Sequence, residues 1–265
     1  SFYNENFNNY RPRTYDGSHL TLSGMNPSIE MRPHQKNGIW RVISSTNNTL
    51  LAHVVGAGKT YTMIAAGMEL RRMGLRKKPM YTVPNHLLGQ WEQAFLELYP
   101  SAKILVATEK DFESDKRKFL MAQIATGDWD AVIVPHTSFG KLPMSKSYVE
   151  AMSLEQIQGL EAAIEEQVAN GERRKGLTVK QLEKAKKRLE AKLEKILSAE
   201  KKDETVTFDE LGVDHLFVDE AQEFKNLFYV TKMTRVAGLT NPEGSQRAFD
   251  MFLKSRFINT RSKGT

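Results

Sequence analysis

The sequence predicts an α/β fold built on a parallel sheet, and three observations carry that expectation. Short apolar runs of strand length recur along the chain without polar alternation, as in strands buried on both faces. Each run closes on a turn and passes into a helical pattern. One of those turns is a glycine-rich loop ending in Lys-Thr, at Gly56-Ala57-Gly58-Lys59-Thr60. Composition allows such a fold: 40% of the 265 residues are apolar, enough for a core. The length suits one large domain, or one domain carrying an insertion.

Residues 1–28 read as an irregular lead-in rich in Asn, Tyr, Pro and Gly, and residues 29–265 as the folded domain. A helical pattern runs from Arg32 to about Ser44. Strands are expected at Leu50–Val55, Met80–Val83, Lys103–Val106, Ala131–Val134 and Leu216–Val218, and a helix over Ser245–Phe257. Between about 145 and 202 the rhythm breaks, with no strand and two helical patterns. Ser153-Leu-Glu-Gln156 and Thr178-Val-Lys-Gln181 have the form of capping boxes that start them. Apolar residues follow at Leu154, Ile157, Leu160, Ile164 and Val168, then at Val179, Leu182, Ala185, Leu189, Leu193 and Ile196, one stripe per helix. The segment is expected to be an antiparallel helical hairpin inserted in the sheet domain. It could contact DNA, dock a protein partner, or pack only on itself. The basic residues around Lys184, Lys186, Lys187 and Arg188 suit its wet face.

Several classes are excluded or disfavoured. No stretch approaches about 18 uninterrupted apolar residues, so no membrane partner is expected. SFYNENFNNY, at the start, has the form of neither a signal nor a transit peptide. Without cysteine there is no disulfide framework and no thiolate metal site, which fits a reducing compartment. A formal charge of +6 suits a polyanionic partner. The chain begins on serine and stops on Lys263-Gly264-Thr265 without a closing element, as expected of a piece of something longer.

A strand that ends in Gly56-Ala57-Gly58-Lys59-Thr60 and passes into a helix has the form of a phosphate loop. Glycines let successive N–H groups turn inward, and the helix adds its positive dipole end. Lys59 would reach the β and γ phosphates, and the Thr60 hydroxyl would hold Mg²⁺. Such a loop needs a second metal-positioning group on a neighbouring strand. Leu216-Phe217-Val218-Asp219-Glu220 offers one, with Asp219 for the metal and Glu220 as general base toward water. The alternative for this pair is a surface acidic cap on the next helix. Together the two motifs point to ATP or GTP.

Further segments carry a family resemblance. Asp219-Glu220-Ala221-Gln222 resembles motif II of superfamily 2 helicases and translocases, and Val218 to Asn226 is close to the Val-Asp-Glu-Ala-His-x-x-Lys-Asn of SWI/SNF-type motors. Met31-Arg32-Pro33-His34-Gln35 resembles the Leu-Arg-Pro-aromatic-Gln start of those motors. Leu51 to Thr60 is similar to their motif I, and Val83 to Trp91 to their motif Ia. Asp130 to Val134 with the turn Pro135-His136-Thr137 is similar to their next DNA-facing loop. The resemblance spans about Met31 to Asn226 apart from the hairpin. It implies the first RecA-like lobe of an ATP-dependent DNA translocase, a P-loop NTPase using ATP and Mg²⁺ and acting with a second helicase lobe.

By that resemblance, Gly56, Ala57, Gly58, Lys59 and Thr60 bind ATP, and Gln35 reads the adenine. Lys59, Asp219, Glu220 and Gln222 form the catalytic set, with Thr60 and Asp219 on the metal. Asn85, His86, Thr108, His136 and Thr137 hold the backbone of double-stranded DNA. Trp91 is expected in the core. The family also implies a bacterial or phage-encoded cytoplasmic protein, some of whose relatives join such a motor to a methyltransferase; this chain has no methyltransferase motif. A restriction-type motor shares the same motifs, and a non-hydrolysing DNA- or partner-binding module on the same fold is the rival from another class. Three departures stand out: His53 where these motors usually carry an acid, Gln222 for the usual motif II histidine, and no Thr-Gly-Thr-Pro-like motif III up to Thr265. Because that motif and an arginine finger are missing, these residues alone are expected to bind ATP weakly and scarcely hydrolyse it.

Overall fold

A computed structural model describes residues 13–169, 179–198, 206–227 and 245–262. The chain divides into two compact units, Ser1–Lys77 with Gly89–Ala102, and Lys78–Leu88 with Lys103–Thr265.

The first unit is built on helices α1 (Pro33–Ser44) and α2 (Lys59–Arg72), which pack on each other. Pro33 suits the first helical position, where its missing N–H costs nothing, and the Gln35 side chain caps the Arg32 N–H at 2.9 Å. The two helices come close at Gly38, where a Cβ would stand 3.1 Å from Thr62 Cγ2. Ile39, Ile64, Ala65, Ala66 and Leu70 fill the space around them. The lead-in from residue 13 onward has no regular elements, yet it is anchored: Gly17 donates its N–H to Asn37 Oδ1 at 2.9 Å, His19 meets Trp40 edge-on at 4.5 Å, and Leu20 and Leu22 are buried. Most of α3 (Leu88–Leu98) also belongs here. Trp91 is 1% exposed, in the core as its sequence context predicts.

The second unit contains a four-stranded parallel sheet, flanked by helices, in the order β2–β3–β1–β4: β1 Pro79–Val83, β2 Ile104–Val106, β3 Ala131–Pro135 and β4 His215–Val218. Every residue of β1 and β3 is buried, which explains why their sequences are apolar but for Thr82. Helix α4 (Ser114–Thr126) supplies Leu120, Met121 and Ile124 to the core, and its last carbonyls at Ile124 and Ala125 accept from Lys78 Nζ at 2.6 and 2.8 Å. The short α5 (His136–Phe139) follows β3 directly, and α8 (Gln246–Ser262) adds Phe249, Leu253 and Ile258 to the same core. This is the α/β, RecA-like architecture expected from the sequence.

The inserted hairpin is present as α6 (Lys146–Ala169) and α7 (Val179–Ser198), and the two pack along each other. Leu160, Leu182 and Ala185 form a small core of their own, with Ala163, Ile164 and Leu189 packed against it. Lys186 pairs with Glu161 at 2.6 Å, tying the early part of α7 to the later part of α6 as an antiparallel pair requires. Leu154 and Val168 are 45% and 62% exposed, so the stripe on α6 is narrower than its sequence suggests.

Two expectations are corrected. Leu50–Val55 is not a strand and pairs with no described strand. Leu50, Val54 and Val55 are 75%, 77% and 96% exposed, and the carbonyls of His53 and Val54 bond within the loop that follows. A strand needs a neighbour for its N–H and C=O groups, and among the described residues no strand lies beside this segment. Ser153 starts no helix either: it lies inside α6 and is 2% exposed. The chain enters α6 at Ser145, whose N–H is held by Asp209 Oδ1 at 3.0 Å and whose carbonyl accepts the Val149 N–H. The second expected cap, Thr178, and the join at 170–177 lie outside the described residues.

Candidate functional site

The loop before α2 has the geometry of an anion cradle. Ala57 donates its N–H to the Val54 carbonyl at 3.2 Å, closing a turn. Gly56 and Gly58 stand at φ 80° and 76°, the left-handed region that L side chains rarely adopt. Gly58 is the N-cap of α2, so Lys59 and Thr60 open a 14-residue helix whose positive end faces the loop. Lys59 Nζ folds back to donate to the carbonyls of His53 at 3.1 Å and Val54 at 3.4 Å. A phosphate would replace those neutral carbonyls with charged oxygens, so the residues present fit a nucleotide phosphate group.

The first turn of α1 grips the same loop. Gln35, 6% exposed, donates from Nε2 to the Gly58 carbonyl at 3.1 Å while its Oε1 accepts from Arg32. His34 donates from Nε2 to the Ala57 carbonyl at 2.9 Å. Both ends of the Gln35 carboxamide are therefore engaged, and an adenine contact requires one of them to be exchanged. His53 meets the His34 ring edge-on at 5.5 Å, and its buried Nδ1 has no hydrogen-bond partner. Burial, then the nearby His34 and Lys59, lower its pKa. The grip of His34 is invisible in the sequence, where it reads only as the aromatic position before Gln35.

In the second unit, β4 delivers the acid pair. Asp219 donates its N–H to the Thr82 carbonyl at 3.0 Å, extending the pairing of β4 with β1 beyond Val218. It is 8% exposed, and Oδ1 accepts the Glu220 N–H at 3.1 Å. Glu220 is exposed and stands at φ 48°, a strained position for a residue with a side chain. That twist ends the strand and opens the turn Ala221–Phe224. Gln222 Nε2 donates to Glu220 Oε2. Carboxylate oxygens at a strand end are hard donors of the kind Mg²⁺ takes.

The expected DNA-facing residues fall into different settings. Asn85, Thr108 and Thr137 are exposed just beyond the carboxyl ends of β1, β2 and β3. Asn85 and Thr137 are joined, Nδ2 to Oγ1 at 2.7 Å, and both donate to Glu109 Oε1. Thr108 spends its hydroxyl on Asp111 at 2.6 Å, capping the turn Glu109–Phe112. His86 is exposed. His136 is turned inward, 4% exposed: Nε2 donates to the Asp219 carbonyl at 3.0 Å and the ring meets Phe224 at 4.8 Å. Its pKa is lowered by burial and then by Arg247, so the neutral ring is favoured.

Lys254, on α8, is 0% exposed, donating to the Phe139 carbonyl at 2.7 Å and to Asp250 at 2.5 Å. It ties α8 to the turn that carries Thr137, and nothing in its sequence context marks it.

No helix among the described residues is long and apolar enough to cross a membrane. No curated protein matches the chain. A family model described as a probable helicase domain matches residues 40–264, from the end of α1 through the loop, the sheet, the acid pair and α8. The chain belongs to this family of probable helicase domains.

Proposed function

We propose that the chain is the first, nucleotide-binding lobe of an ATP-dependent motor of SWI/SNF type that moves on double-stranded DNA. The observation that carries the reading is the loop at 54–60: two glycines in left-handed conformation, a lysine curled over main-chain carbonyls, and a long helix starting at once behind it. The helicase family match and the acid pair at the end of a parallel strand support it.

In this reading ATP is the nucleotide and Mg²⁺ its metal. Gly56, Ala57, Gly58 and Lys59 hold the phosphates. Thr60 and Asp219 would each offer the metal an oxygen, and the metal would supply neutralisation of phosphate charge. Glu220 orients the attacking water and accepts its proton, and Gln222 fixes the Glu220 carboxylate. Gln35 exchanges its bond from Arg32 for the adenine edge and keeps its hold on the Gly58 carbonyl. The second helicase lobe of a longer chain completes the site, and the hairpin offers a place for a protein partner. Asn85, His86, Thr108 and Thr137 hold the DNA backbone, and His136 backs them from inside.

The test is ATP turnover by the full-length protein with and without duplex DNA. Stimulation by DNA that disappears in Lys59→Ala and Glu220→Gln is expected. A low rate in the wild type that neither DNA nor these substitutions change would overturn the motor.

A further inference from the structure

The three neighbouring strands β2, β3 and β1 end side by side, and the residues just beyond them converge on one carboxylate. Glu109 Oε1 accepts from Asn85 Nδ2 and, at 2.7 Å, from Thr137 Oγ1. The Thr137 N–H turns to Asn85 Oδ1 at 3.3 Å, which fixes the amide with its N–H toward the carboxylate. All three residues are exposed. Carboxyl ends of strands in an open α/β sheet are where such folds take their ligands. An anionic oxygen receiving one amide N–H and one hydroxyl is also the arrangement in which neutral loop side chains hold a phosphodiester.

We infer that Glu109 is an internal stand-in for a backbone phosphate: its carboxylate occupies the Asn85–Thr137 donor pair and has to leave before a nucleic-acid strand engages it. The inference rests on the DNA-motor reading and deepens it, since it names a residue that opposes binding. Charge-assisted hydrogen bonds are the strong ones, so the contact is costly to break. Once displaced, the same carboxylate stands beside a phosphate and repels it. Glu109 thereby sets a threshold: a strand that can offer phosphates to several loops together displaces it, and an isolated anion does not.

The experiment is anisotropy titration of a labelled random-sequence duplex with the full-length protein at fixed salt, without nucleotide. Glu109→Ala is expected to bind about tenfold more tightly than the wild type. Glu109→Gln, which keeps an acceptor and loses the charge, should fall between them. The gain should vanish in an Asn85→Ala background, and thermal melting of each variant checks that the fold is kept. If Asn85→Ala weakens binding while Glu109→Ala binds no better than the wild type, Glu109 is only a brace and the inference falls alone. If no variant binds the duplex, Glu109→Ala included, the DNA reading falls and takes this inference with it.

Discussion

Replacing Gly58 by alanine tests the proposed phosphate loop at its tightest point. The added Cβ would stand 2.3 Å from Gln35 Nε2 and 3.2 Å from Gln35 Cδ. Gln35 cannot simply swing aside, because it is 6% exposed and its amide is tied to Gly58 at one end and Arg32 at the other. Its retreat breaks the bond to the Gly58 carbonyl, a loss of about 1 kcal/mol. Alanine at φ 76° adds a conformational cost of about 1–2 kcal/mol. The sum, about 2–3 kcal/mol, corresponds to roughly 30- to 150-fold weaker nucleotide binding if the loop must keep this shape to hold phosphates. Titration with a fluorescent ATP analogue in Mg²⁺ measures it. A double-mutant cycle with Gln35→Ala separates the two parts: removing the Gln35 side chain relieves the clash and leaves the backbone cost, giving a coupling of about 1 kcal/mol. Affinity for Gly58→Ala within threefold of wild type, or strict additivity in the cycle, would refute the loop geometry.

Three other predictions concern the framework. Lys254→Met should lower stability by about 1–3 kcal/mol, because the Phe139 carbonyl loses its buried donor, and denaturant unfolding reads the loss. Leu160→Ala, at a position 1% exposed, should cost about 2–4 kcal/mol confined to the hairpin; hydrogen exchange should quicken in α6 and α7 and stay unchanged in the sheet. His136 has a folded-state pKa below the ordinary 6.5, so between the two values the unfolded chain binds the extra proton and stability rises with pH. Acidification from pH 7 to 5 should therefore reduce stability, and His136→Gln, which can still donate to the Asp219 carbonyl, should flatten that dependence in a pH series of thermal melts.

What the sequence disclosed followed from how much of each feature is local. Burial on both faces leaves a continuous apolar signature, and so Pro79–Val83 and Ala131–Pro135 were legible almost to the residue. Leu50–Val55 carries the same signature, but being a strand also requires a ladder partner, which no property of those six residues can disclose. The four-residue pattern at Ser153 meets the capping rule and still lies mid-helix, because the start of α6 is fixed from a distance by Asp209. The glycine loop before α2 was legible because its residues are consecutive. Glu109 was not, since its two donors come from different loops, and neither was the inward turn of His136.

His136 and Thr137 are consecutive, yet one grips the main chain of Asp219 and the other faces solvent at the strand ends. The peptide between them joins two side chains that serve opposite sides of the same turn. Any tug on Thr137 large enough to rotate that peptide must stretch or release the hold on the Asp219 carbonyl. At this place in the chain, a solvent-facing hydroxyl and the hold on a buried acid lie a single amino acid apart.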